Sequence, residues 1–305
     1  MTLNAHPELP EFEYMRPASL PEASRFLAEH AGEARPLLGG TDIFVRMRDG
    51  FYHDQYLVDV KYLEGTQELH FEPNSNGHGQ AGLTLGAAVN MNRVLAFPAV
   101  QQHYALLAEA CRSVASYQLR TRATIVGNIC NASPAGDTIG ASLALQGVLK
   151  VHGVNGYRDV SLAGFFLGPG KTVLQPGDIV TQIFFPAPPQ GSQGTYIKLG
   201  RNTWSDLSIV GVTAFGYPTA NGSLAGYEFR LALASVAPVP LVPAAAQEYL
   251  AARPPGPEVF KEAAHLAAEG CRPIDDVRGS ARYRKAMVEQ LTKKALEITW
   301  GRLVR

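Results

Sequence analysis

Along the chain, stretches in which apolar residues return every three to four positions alternate with short runs of β-branched and aromatic residues. The first helical stretch is sharply marked. Ser19 and Glu22 form an S-x-x-E capping box, Pro21 sits in the first turn, and Ala23, Phe26, Leu27 and His30 share one face. "RPLL" then predicts a short strand ended by Gly39-Gly40, "TDIFVRMRDG" a second helix, and "QYLVDV" a strand. Residues 12–62 therefore read as one α/β unit.

After the polar, glycine-rich "EPNSNGHGQAG", "LTLGAAV" resumes as a strand. "NRVLAFPAVQQHYALLAEACRSVA" is helical but interrupted at Pro98, which lacks a backbone donor. "RATIVGNICNASPAGDTIGASLALQGVLKVHG" reads as strand-like residues, a Gly-Asn turn, a polar loop, a short helix and a strand. "GDIVTQIFFP" predicts another strand before "APPQGSQG" at residues 187–194, a composition break that marks a domain boundary. Downstream, "TYIKLGR", "LSIVGVTAFGY" and "YEFRLALASV" predict three strands, with "NG" at 221–222 a hairpin signal between the last two. Three helical segments follow. In the last, from near Ser280, the residues Tyr283, Met287, Leu291 and Ala295 form a stripe expected to pack on the neighbouring sheet or helices. The pattern predicts an α+β protein with domains at residues 1–62, 63–190 and 191–305.

Composition narrows the function classes. Lys+Arg and Asp+Glu are both 27, so no broad basic footprint for nucleic acid exists, and Arg112, Arg120 and Arg122 read as a solvated face or anion contacts. No basic segment precedes an apolar one at the N-terminus, and no apolar run approaches the ~20 residues that span a bilayer. Cys111, Cys130 and Cys271 are scattered. They suit buried thiols in a reducing cytoplasm and are too few to ligate an iron–sulfur cluster within this chain.

Familiar catalytic signatures fail one by one. "GPGKT" at 168–172 suggests a phosphate loop, but Phe165 stands where its first glycine belongs and "VLQPGD" is no helix, so a turn is expected. No G-x-S-x-G, HExxH or G-x-G-x-x-G occurs, and the histidines are dispersed. Two glycine-bearing turns remain. "LLGGTDI" places two glycines and Thr41 after a strand, and "ATIVGNICNASPAGD" places Gly127, Asn128 and Asp137 after another. Each is either an ordinary turn or a cluster of backbone N–H groups open to an anion. Together they could grip one pyrophosphate from two sides, with Thr41, Thr124 and Asn128 as further donors.

These residues carry a resemblance that runs nearly end to end. "FEYMRPASLPEA", "LLGGTD", "LRTRATIVGNICNASPAGD", "FFLGPGKTVLQPGDIV" and "PIDDVRGSARYRKAM" resemble the FAD-binding medium subunit of the molybdenum hydroxylases, the xanthine dehydrogenase and carbon monoxide dehydrogenase family. The resemblance implies a two-subdomain FAD-binding fold of the vanillyl-alcohol-oxidase (PCMH) type, followed by a three-stranded antiparallel sheet with a helical bundle. It implies that Pro36, Leu37, Leu38, Gly39, Gly40, Thr41, Asp42 and Ile43 wrap one face of the FAD pyrophosphate. Thr124, Ile125, Val126, Gly127 and Asn128 would wrap the other. Asp137 would contact the ribityl or a nearby polar part, Ile179 and Val180 would line a ring pocket, and Lys198 would reach the flavin or form a structural salt bridge. Arg201 and Asp206 fall in the adjoining pattern.

The chain departs from that pattern in places. Val126 stands where many relatives have glycine, which leaves Gly127 to approach the phosphate. Val114 replaces an aromatic that stacks near the flavin in some dehydrogenases, and Tyr117 is a candidate for the same space or for packing. A cysteine-rich insertion that marks the hydroxybenzoyl-CoA branch is missing. The implied role is an oxidoreductase subunit that moves electrons through FAD to an external acceptor. The molybdenum cofactor would sit in a large partner and two [2Fe–2S] clusters in a small one, assembled as a dimer of heterotrimers in the cytoplasm. Two alternatives are a flavin-free interaction module of such a complex and a stand-alone flavin oxidoreductase, the latter opposed by "DDVRGSARYR".

Overall fold

The computed structural model describes residues 8–73, 80–202, 206–219 and 225–305. The hairpin signal at 221–222 lies outside them.

The first region is a parallel sheet in the order β1-β3-β2, with β1 Glu13–Met15, β2 Ala34–Leu37 and β3 Tyr56–Asp59. Helix α1 Leu20–Glu29 begins where the capping box predicts. Ser19 Oγ accepts from Glu22 N, while the Glu22 carboxylate turns back to Ala18 N at 2.8 Å. Its apolar face, Leu20, Ala23 and Leu27, is buried under the sheet, and the short α2 Ile43–Arg48 follows the double glycine.

The second region is an antiparallel sheet in the order β4-β5-β10-β6-β7. Its strands are β4 Leu69–Glu72, β5 Gly82–Gly86, β6 Val148–Gly153, β7 Gly156–Ser161 and β10 Ile179–Pro186; a small hairpin, β8 Phe166–Gly168 with β9 Lys171–Thr172, closes the GPGKT turn. Helices α3 Met91–Ala96, α4 Pro98–His103, α5 Ala105–Arg112, α6 Tyr117–Arg120, α7 Ile125–Cys130 and α8 Ile139–Ala144 belong to the same region, and α5 and α8 also pack on the sheet of the third region. The helical stretch breaks at Pro98 as expected, and again at Tyr104. That second break lets the buried Tyr104 hydroxyl donate to Phe185 O at 3.0 Å, fastening the helices to the sheet.

The third region is an antiparallel sheet, β11 Gln193–Leu199, β12 Val210–Pro218 and β13 Tyr227–Ala234, backed by α9 Ala244–Ala251, α10 Pro257–Glu269 and α11 Ala281–Leu303. The predicted stripe on α11 packs as expected at Met287, Leu291 and Ala295, although the most deeply buried face lies beside it. Arg284, Val288, Thr292, Ala295, Leu296 and Thr299 are buried, whereas Tyr283 is 43% exposed. A strict four-residue spacing drifts against the 3.6-residue turn, and the buried Arg284 is invisible to an apolar pattern.

A second correction concerns "TIVGN". Its β-branched residues read as a strand and a Gly-Asn turn, but they form α7. Thr124 caps that helix, its Oγ1 accepting from Gly127 N at 2.9 Å. Burial of Ile125, Val126 and Ile129 outweighs the weak strand preference.

Candidate functional site

A cleft of about 450 Å³ opens where the first two regions meet. Leu38 packs against the cores of both, and Ile179 and Val180 at the start of β10 divide between them. One wall is the link between β2 and α2, with Pro36, Leu38, Gly39, Gly40, Thr41, Asp42 and Ile43 on the cleft. The opposite wall is the start of α7, with Thr124, Val126, Gly127 and Asn128, and Ile179 and Val180 close one end. Leu37 and Ile125 turn instead into the core, at 4% and 2% exposure.

The two glycines serve different ends. Gly39 is where the walls touch: a Cβ there would lie 2.2 Å from Arg122 O. Gly40 has φ +74°, a left-handed conformation, and a Cβ would strike the Phe44 ring at 2.6 Å rather than enter the cleft. The five consecutive backbone N–H groups from Gly39 to Ile43 donate to no acceptor among the described residues. Val126 N, in the first turn of α7, is equally free. Asn128 Oδ1 accepts from Thr138 N at 3.2 Å and Thr138 Oγ1 at 2.7 Å, which orients its amide group at the cleft wall. Open amides on both walls suit a pyrophosphate. The Val126 side chain, 2% exposed, packs in the core.

Asp137 and Lys198 do not line the cleft. They form a buried pair behind it: Lys198 Nζ lies 2.7 Å from Asp137 Oδ2 and donates to Ser113 O at 3.1 Å, while Tyr196 OH donates to Asp137 Oδ1 at 2.7 Å. Burial raises the Asp137 pKa, and the Lys198 charge with both hydrogen bonds offsets this only in part. Burial, then the Asp137 charge, pushes the Tyr196 phenol well above its ordinary range. Val114, the residue after Ser113, lines the cleft, so the pair is tied to the backbone of that wall. Tyr117 is 65% exposed and lies off the cleft. Arg201 and Asp206 form an exposed pair at 3.2 Å, also off it.

Other lining residues carried no motif. Arg35 stacks on Tyr52, its guanidinium carbon 3.8 Å from the ring centroid, and is held by Asp54 at 2.8 Å. Asp178 is fixed by both terminal nitrogens of Arg158 and by Gln175 N at 2.6 Å. Cys130, partly exposed, also lines the cleft, whereas Cys111 and Cys271 are buried. Among the described residues no group of three or more His, Cys, Asp or Glu could hold a metal ion, and no helix is long and apolar enough to cross a membrane.

Comparison with known proteins assigns the two halves. Residues 10–188 match the FAD binding domain in molybdopterin dehydrogenase, and residues 195–299 the CO dehydrogenase flavoprotein C-terminal domain. The chain is 32% identical to the carbon monoxide dehydrogenase medium chain of Hydrogenophaga pseudoflava over 96% of its own length and 98% of that chain's. It is 27% identical to the xanthine dehydrogenase FAD-binding subunit of Escherichia coli O157:H7, covering 93% and 94% respectively. The solved carbon monoxide dehydrogenase from Hydrogenophaga pseudoflava superimposes with a TM-score of 0.89 over 97% of this chain and 99% of the other. With its open-amide cleft and a family match over both halves, the chain belongs to the FAD-binding medium subunits of the molybdenum hydroxylases.

Proposed function

We propose that this flavoprotein subunit carries electrons from the [2Fe–2S] clusters of a small partner, through FAD, to an external acceptor. Hydroxylation would take place on the molybdenum cofactor of a large partner. The observation that carries the reading is the open-amide nest at Gly39–Ile43 facing the start of α7 across one cleft. FAD, when bound, supplies the ability to accept electrons singly and release them singly or in pairs. The chain's own residues bind and orient. The amides of residues 39–43 and 126 would hold the pyrophosphate, with Pro36 to Leu38 and Thr124 to Asn128 shaping the two walls. Ile179 and Val180 give an apolar surface for a ring. Asp137 and Lys198, with Tyr196, set the charge and rigidity behind the Val114 wall.

In this reading residues 1–62 and 63–190 are the two flavin subdomains and 191–305 the C-terminal domain. The medium-chain relatives support a complex with a large and a small subunit, which we propose is a dimer of heterotrimers. Three free cysteines suit a cytoplasmic setting. The test is co-expression with the genes for the two partners. The purified complex should bleach its flavin on adding the organic substrate, and the isolated medium chain should not. Flavin bleaching by substrate in the isolated chain would overturn the assignment.

A further inference from the structure

The C-terminal signature "DDVRGSARYR" lies far from the cleft in sequence, yet its buried arginine is linked to it through hydrogen bonds and one short stretch of backbone. Arg284 is 1% exposed and among the largest fully buried side chains. Its Nη1 donates to Ile209 O at 3.0 Å and Ser235 O at 2.8 Å, and its Nη2 to Asp276 Oδ1 at 2.6 Å. Asp276 is held in turn by Arg278 Nη2 at 2.7 Å. A guanidinium is costly to bury, and the cost is met only where geometry and partners are complete. One of the three acceptors of Arg284 marks a left-handed backbone position.

That position is Ser235, just past β13, which has φ +65°, a left-handed conformation seldom taken by a side chain with a Cβ. All its polar groups are engaged. The hydroxyl donates to Ser208 O at 2.9 Å, the carbonyl accepts from Arg284, and the N–H crosses out of the C-terminal domain to Pro134 O at 2.7 Å. Strain of this kind persists where the surroundings over-determine it, and it gathers at functional sites. Pro134 opens the loop that leads to Asp137 and Thr138, and Thr138 orients Asn128 on the cleft wall. The residue that precedes the loop is clamped as well. Gly170 N, in the GPGKT turn, donates to Ala132 O at 3.0 Å.

We infer that Arg284 and Asp276 are positioning residues for the flavin site: through Ser235 and Pro134 they fix the 133–138 loop, and through Thr138 they fix Asn128 and the start of α7. The inference rests on the flavin reading above. It also gives the signature a task that packing of the C-terminal domain alone would not require.

The test titrates the full-length apo chain with FAD and follows flavin fluorescence and visible circular dichroism. Arg284→Lys keeps the charge but cannot reach three acceptors, and should weaken FAD binding by roughly tenfold or more and change the dichroism of the bound flavin. Asp276→Asn, a milder change, should weaken it about threefold in the same direction. Phe260→Leu is the control. It loosens the C-terminal core away from the loop, and should lower the melting temperature yet leave FAD affinity within about twofold of wild type. Near wild-type affinity in both signature variants would overturn the inference, and so would equal weakening in Phe260→Leu. A folded wild-type chain that takes up no FAD would refute the flavin reading itself, and this inference with it.

Discussion

One methyl group at Gly39 tests whether the two walls of the cleft must meet. A Cβ at this position would lie 2.2 Å from Arg122 O and 2.8 Å from Arg122 C, both backbone atoms that cannot swing aside. Relief to ordinary van der Waals contact requires the walls to part by about 1 Å. Overpacking of this kind costs about 1–3 kcal/mol of stability. It also strains Met91 N to Ala123 O, a 2.9 Å bond that holds the far wall to α3. A hydrogen bond to a charged phosphate contributes about 1.5–3 kcal/mol. Loss of a single one through the widened gap lowers FAD affinity by about ten- to a hundredfold. Gly39→Ala should therefore fold with a reduced melting temperature and show that loss in a fluorescence titration with FAD. Gly50→Ala is the matched control. Gly50 has φ +74°, and no heavy atom lies within 4 Å of where its Cβ would sit, so the change costs about 1–2 kcal/mol of backbone strain without reaching the cleft. Wild-type FAD affinity in a folded Gly39→Ala protein would refute the reasoning.

Gly40→Val should abolish FAD retention through the backbone. A branched residue resists φ +74° and collides with Phe44, so the 39–43 amides lose their arrangement; cofactor content of the purified variant reads this out. Lys198→Met leaves Asp137 buried without its cation and should destabilise the chain by about 3–5 kcal/mol in urea unfolding. Asp137 already has a raised pKa, so its stabilising contribution is complete below the ordinary carboxylate pKa and is lost as pH rises through the folded value. The deficit of Lys198→Met should therefore be larger at pH 8 than at pH 5. Asp276 behaves oppositely. Burial alone would raise its pKa, but hydrogen bonds from Arg278 and Arg284 prevail and hold it well below the usual range. Its stabilising contribution is full above about pH 4 and is lost as pH falls further. The stability gap between wild type and Asp276→Asn should narrow from pH 6 to pH 3, and a constant gap would contradict the ion-pair role.

Much of the fold was legible because local chemistry and burial agree. The Ser19 cap, the strand before Gly39 and the three C-terminal strands each carry a period and a boundary that match their environment. α7 was not legible as a helix because "TIV" is β-branched, and the deciding terms are the Thr124 cap and burial on one face. On α11 the stripe packs at Met287, Leu291 and Ala295, but Tyr283 faces out and Arg284 inward, for reasons that lie at Ile209, Ser235 and Asp276 rather than on the helix. At the site, the two glycine turns were recognisable as paired anion-binding walls. That Gly39 keeps two backbones in contact while Gly40 supplies a left-handed turn depends on Arg122 and Phe44, which no pattern within "LLGGTD" contains. Arg35 and Tyr52 were missed for a similar reason, since stacking joins residues seventeen positions apart.

The most direct test of the account is the cofactor content of the folded full-length chain. Purified protein, or apoprotein given FAD, should carry one flavin per chain with its visible absorbance. Heat or acid release should yield FAD and not FMN, because the grip is on the pyrophosphate between Gly39–Ile43 and the start of α7. A colourless, cooperatively folded chain that leaves added FAD free in solution would contradict it.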